Sequence, residues 1–104
     1  MNINVKKLNE MRIANEPHTL LDVREAHEIE MCSIEGSLDI SMNTIPENID
    51  KLPKEEPLVV MCHLGGRSAQ VAEWLSQNGY ANALNLEGGI AAWAQEIDTE
   101  MTQY

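Results

Sequence analysis

Nucleophile, turn-former, cation and helix start meet in one stretch of this sequence, Leu58–Ser68 (LVVMCHLGGRS). An apolar run ends in Cys62. His63, Leu64, Gly65 and Gly66 follow, then Arg67, and Ser68 opens a helical pattern. Two glycines let the backbone turn sharply and leave its N–H groups bare. A helix N-terminus adds about half a positive charge at the same spot. The expected product is a small bowl of donors that holds an anion, with Cys62 at its base and Arg67 on its rim. In such surroundings a thiol pKa falls from about 8.5 to as low as about 3.5. A thiolate is a good nucleophile and an attachment point for transferred sulfur. The bland alternative is a core cysteine that ends a strand before an incidental turn. The crowding of Cys, two Gly, Arg and a helix start into seven positions, 62–68, argues against it.

The elements that hold this loop follow from the apolar pattern. Leu58–Met61 is the strongest strand signal in the chain. Thr19–Val23 and Ala83–Leu86 read as further strands, and Ser37–Ser41 as a weaker one. Asn2–Val5 fits either a short strand or a helix entry. Asn4 is a candidate N-cap for Val5–Ala14, where Val5, Leu8 and Met11 recur at helical spacing. Glu25–Met31 and Pro46–Leu52 are short helical stretches, the second with Pro at its first turn. Arg67–Gln77 is a helix stopped by Asn78-Gly79, and Ile90–Ile97 is a closing helix after Gly88-Gly89. Strands alternating with helices predict an α/β fold with a largely parallel sheet and right-handed crossovers. In such sheets ligands sit beyond the carboxyl ends of the strands. That singles out Asp22–Glu25, Cys62–Ser68 and Glu87–Gly89.

Composition narrows the function. The chain has 104 residues, which suits one domain over residues 1–104. Seventeen acidic against seven basic residues give a net charge of −10. Phosphate backbones and anionic membranes require the opposite sign, so neither nucleic acid nor membrane is an expected partner. No apolar run approaches the roughly 20 residues of a spanning helix, and the N-terminal stretch lacks the apolar segment of a secretory signal. Cys32 and Cys62 are too few for a disulfide framework; one disulfide between them is left open, and in a reducing compartment such as the expected cytoplasm they read as two separate thiols. His18, His27 and His63 share no metal-ligand spacing with either cysteine, so no metal is expected.

The stretch strand–Cys62–His63–Leu64–Gly65–Gly66–Arg67–Ser68–helix resembles the active-site loop of single-domain rhodaneses, the thiosulfate- and persulfide-dependent sulfurtransferases. Leu20–Glu25 (LLDVRE) is similar to the family's Asp-Val-Arg segment. Leu86–Trp93 (LEGGIAAW) is similar to its C-terminal signature, and Ser33–Ser41 (SIEGSLDIS) to its His-Ile-x-Gly-Ala-x-Asn-Ile-Pro stretch. The resemblance implies a rhodanese-like, five-stranded, mainly parallel sheet with helices on both faces. It implies that Cys62 takes sulfane sulfur from thiosulfate or a persulfide, becomes a persulfide, and hands the sulfur to a thiophilic acceptor. Backbone N–H groups across His63–Ser68 would cradle the sulfur and the anionic donor, and Arg67 would supply fixed charge. No cofactor is needed. A protein-to-protein sulfur shuttle or a regulatory binding module is the alternative, with thiosulfate only a surrogate. Related phosphatases place five residues between Cys and Arg for a tetrahedral phosphate. Only four intervene here, His63 to Gly66.

Other positions carry weaker signals. Cys32 and Ser33 stand where the family commonly has Gly and His. Cys32 reads as a small residue in a connection rather than a second sulfur relay, since its sequence surroundings offer nothing to favour a thiolate. Asp22 and Arg24, at a strand exit, read as structural rather than as lining the mouth of the site: Asp22 is expected to cap the turn after its strand, and Arg24 to pair with a nearby carboxylate such as Glu25 or Glu28. His63 fits either a proton-transfer role or an outward-facing loop position. Trp74 and Trp93 read as core. Glu96–Glu100 reads as a solvated acidic stretch.

Overall fold

The computed structural model describes all residues, Met1–Tyr104. The chain forms β1 (Asn2–Ile3), α1 (Val5–Ile13), β2 (Thr19–Asp22), α2 (Ala26–Met31), β3 (Leu38–Asp39), β4 (Leu58–Met61), α3 (Gly66–Gln77), β5 (Ala83–Leu86) and α4 (Gly89–Glu96). The strands make one sheet in the order β1-β5-β4-β2-β3, and every pairing is parallel. The sheet is thus wholly parallel where a mainly parallel one was expected. Asn4 caps α1 as its sequence predicts, its side chain accepting from the Lys7 amide at 2.8 Å. Between β3 and β4 the chain runs through 3-10 turns at Met42–Thr44 and Pro46–Lys51. The second is the short helix expected over Pro46–Leu52, with Pro46 in its first turn, wound as 3-10. That winding suits a segment this short, where the poorer geometry of 3-10 bonds costs little.

The central strand explains its own sequence. All four residues of β4 are buried, because helices cover both faces of the sheet. Leu58, Val60 and Cys62 face Val71, Ala72 and Leu75 of α3. Val59 and Met61 face Val5, Leu8 and Met11 of α1 with Ile90 and Trp93 of α4. The alternation sends Cys62 to the α3 side as the strand ends, so the thiol emerges beneath the first turn of α3. The register pairs Asp22 with Met61, and Val23 donates its amide to the Met61 carbonyl at 3.0 Å. The exits of β2 and β4 therefore lie side by side.

Candidate active site

Cys62 is only 1 % exposed and lies under the turn that follows it. Gly65 has φ +108°, a left-handed conformation that favours glycine, and this aims its amide back at the Cys62 sulfur at 3.1 Å. The Ser68 hydroxyl stands 3.3 Å from the same sulfur and 2.6 Å from Asn85 Oδ1. Its one proton serves only one of these acceptors at a time. Burial pushes the Cys62 thiol up. Against it act the Ser68 hydroxyl and the amides of Ser68, Gly65 and Leu64, and the net shift is downward. The loop thus turns its N–H groups inward on the sulfur, as the glycines and the helix start require.

The loop is buttressed from β5. Ile90 and Ala91, in the first turn of α4, donate their amides to the carbonyls of Cys62 and His63 at 2.9 and 3.0 Å. Any Cβ at Gly89 would stand 2.5 Å from both carbonyl oxygens, so only glycine allows this approach. The Gly88-Gly89 pair therefore presses α4 against the nucleophile's backbone. The exits of β2, β4 and β5 converge here.

Two guanidinium–carboxylate pairs flank the loop. Arg24 bonds Asp22 at 2.7 Å, and both side chains are fully buried. Asp22 also accepts the Arg24 amide at 3.1 Å, which is the turn-capping role expected for it. Arg24 thus pairs with Asp22 rather than with Glu25 or the Glu28 carboxylate: its own turn folds it back, Nη1 donates to the Glu28 carbonyl and the Tyr104 hydroxyl, and Nη2 donates to the Cys32 carbonyl as well as to Asp22. Arg67 grips Glu28 with both terminal nitrogens, at 2.7 and 2.8 Å. Glu28 Oε1 also accepts the Glu25 amide at 3.0 Å, and Oε2 accepts the Tyr104 hydroxyl at 2.9 Å. The bond from Arg67 outweighs burial and holds the Glu28 carboxyl far below the usual carboxylate range.

Of the expected loop, the Leu64, Gly65 and Ser68 amides and the Ser68 hydroxyl face the sulfur, while the Arg67 guanidinium turns to Glu28. The His63 ring, half-buried, stacks on the Tyr104 ring with centroids 3.9 Å apart. Leu64 is 67 % exposed at the tip, and Gly66 is the first residue of α3. Cys32 lies 3.9 Å from Arg24 Nη1, so a cation that its sequence neighbours do not reveal stands beside it. It lines a cavity of about 290 Å³ with His63, Leu64, Ile90, Gln95 and Tyr104. Trp93 is core, but Trp74 is only half-buried and lines a surface groove with Met42, Ile45 and Pro46. Sequence reasoning missed three participants. Asn85 had a signal, a polar residue inside the buried strand ALNL. Glu28 was visible only as one acid among several. Tyr104 had none, because the segment after α4 returns to the loop only in three dimensions.

A family model described as the rhodanese-like domain matches residues 4–96. The chain belongs to the rhodanese-like family. Among relatives of this rhodanese-like chain, a sulfurtransferase from Allochromatium vinosum is 37 % identical over 89 % of this chain and 87 % of its own. The maize adenylyltransferase and sulfurtransferase MOCS3-2 is 38 % identical over 86 % of this chain but only 20 % of its own. The crystal structure of a rhodanese-like domain protein from Staphylococcus aureus superposes with a TM-score of 0.86 at 34 % identity, covering 100 % of this chain and 99 % of that one. The chain is accordingly a rhodanese-like sulfurtransferase. No helix is long and apolar enough to cross a membrane, and no cluster of His, Cys, Asp and Glu is placed to hold a metal ion.

Proposed function

We propose that the domain spanning residues 1–104 moves sulfane sulfur through a persulfide on Cys62, drawing on thiosulfate or a persulfide donor and delivering to a thiophilic acceptor. The observation that carries this reading is the inward-facing Gly65 amide at 3.1 Å from the Cys62 sulfur. A sulfur lined with donors is easier to ionise, and the added sulfur of a persulfide anion is held by the same donors. The Cys62 thiolate attacks the outer sulfur of the donor, the donor's S–S bond breaks, and the leaving group keeps the electron pair. In the second half-reaction the acceptor attacks the outer sulfur of the Cys62 persulfide and returns the thiolate. Ser68 can turn its proton from Asn85 to the sulfur as charge builds there. His63, Leu64, Gly65 and Gly66 form the wall of the cradle, and Arg67 its charged rim.

Intact-mass analysis of the protein mixed with thiosulfate tests the carrier state. One added sulfur atom, lost on treatment with dithiothreitol and absent from Cys62→Ser, is the expected result. Thiocyanate formation from thiosulfate and cyanide should also vanish in Cys62→Ser with its fold intact. Turnover retained in that variant would defeat the assignment.

A protein donor or acceptor is the second reading, and the surface favours it on one point. Leu64 presents an exposed apolar tip directly over the loop of a chain with net charge −10, which suits a basic partner with an apolar contact. The charge disfavours nucleic acid and anionic membranes as partners, and the thiol chemistry suits the cytoplasm. Loading that saturates with thiosulfate alone at metabolite-like concentration would favour the small-molecule reading instead.

A further inference from the structure

Resting on the sulfurtransferase reading above, we infer that Glu28 sets donor choice: by neutralising Arg67 it selects a low-charge persulfide over the thiosulfate dianion. Two cations stand at the mouth of the site. Across Val23–Met31, Ile40–Thr44, Cys62–Ala69 and Glu87–Trp93, the segments at the carboxyl ends of β2 to β5, Arg24 and Arg67 are the only Lys or Arg. Asp22 occupies Arg24, and Glu28 occupies both terminal nitrogens of Arg67. The same segments carry Glu25, Glu28, Glu30 and Glu87. The loop is left with amide dipoles and the partial charge of the α3 N-terminus as its positive elements.

Glu28 is fixed in that duty. Its two oxygens take four donors: Arg67 twice, the Glu25 amide and the Tyr104 hydroxyl. Tyr104 is in turn anchored by Arg24 at 2.9 Å and by its stack on His63. A carboxylate held from four directions does not swing aside when an anion arrives. The Arg67 side chain is 37 % exposed and therefore reachable, yet its charge is already compensated.

The two donors make different demands. With thiosulfate, the thiolate attacks the outer sulfur, the S–S bond breaks, sulfite leaves with the electron pair, and Cys62 keeps a persulfide anion. Three negative charges share the site throughout. With a neutral hydropersulfide R–S–SH, the same attack yields Cys62–S–SH and the thiolate RS⁻, and only one negative charge is present at any stage. Amide dipoles suffice for one charge, whereas three close charges call for an uncompensated cation.

The test compares thiosulfate with cysteamine persulfide, whose ammonium keeps its charge low, in the wild-type chain and in Glu28→Gln. Gln keeps a hydrogen bond to Arg67 and removes the negative charge. The ratio of kcat/KM for thiosulfate to that for cysteamine persulfide should rise about tenfold or more in Glu28→Gln, through a lower KM for thiosulfate. Adding Arg67→Ala to that variant should cancel the rise. An unchanged or lowered ratio overturns the inference. A measurement on the wild-type chain needs no variant to fold: kcat/KM for thiosulfate should climb with ionic strength, because the dianion meets net repulsion. A fall with ionic strength would reveal an uncompensated cation and overturn the inference. Failure of both donors to load Cys62 would instead strike the sulfurtransferase reading itself.

Discussion

Arg24–Asp22 and Arg67–Glu28 are the same chemical pair in two settings less than a loop apart. Arg24 and Asp22 are sealed from water, close a turn of their own strand exit, and tie α2 to it through the Glu28 and Cys32 carbonyls. Arg67 and Glu28 join α3 to α2 across the open side of the loop, with side chains 37 % and 10 % exposed. The first pair is architecture: an unpartnered charge there has nowhere to be solvated. The second lies at the rim of the site, since its Arg67 side chain is open to water. Burial rather than bond length separates the two roles.

The sealed pair should show the largest effect. Arg24→Ala strands the Asp22 carboxylate in the interior and should cost about 3–5 kcal/mol in denaturant unfolding. Asp22→Leu combined with Arg24→Met should recover much of that loss. If Arg24→Ala costs no more than a surface substitution, the distinction between the pairs is gone. Gly89→Ala forces a methyl onto the carbonyl oxygens of Cys62 and His63. It should cost about 1–3 kcal/mol and displace the loop, so thiocyanate formation should fall with stability. Unaltered turnover there would mean that α4 does not position the nucleophile.

Arg67→Ala should cost at most about 1 kcal/mol in the same unfolding measurement, because the guanidinium reaches water and Glu28 keeps the Glu25 amide and the Tyr104 hydroxyl. Its kinetic effect should be uneven, with thiosulfate use weakened more than persulfide loading. Equal weakening of the two would mark Arg67 as a structural residue like Arg24. The smallest effect is a pH dependence. The Cys62 pKa in the folded chain is lower than in the unfolded chain, so the thiolate favours the fold. That contribution is complete above the unfolded-state pKa and disappears as pH falls through the folded one. Stability should therefore decline over that interval in the wild-type chain and stay flat there in Cys62→Ser. Alkylation of Cys62 by iodoacetamide should titrate below the ordinary thiol range, and a midpoint above it would mean that burial outweighs the donors.

Much of this was legible in the residues. Strands at Thr19, Leu58 and Ala83, the Asn4 cap and the helix ending at Gln77 follow local rules of period, capping and turn chemistry, and they reappear within a residue or two. The nucleophile and its turn were legible because Cys, glycines and helix start act through neighbours in the chain. The partners of the two arginines were not. Arg24 had three acids within four residues, and only the fold of its own turn chose Asp22. Arg67 and Glu28 are 39 positions apart.

The sequence by itself determined the fold, the buried central strand and the inward-turned amides at Cys62, because each depends on backbone conformations that glycine, period and helix start impose locally. Tertiary structure alone decided which charges are left over. Compensation depends on distances between side chains far apart in the chain, and no rule of spacing brings Glu28 to Arg67 or Tyr104 to them both.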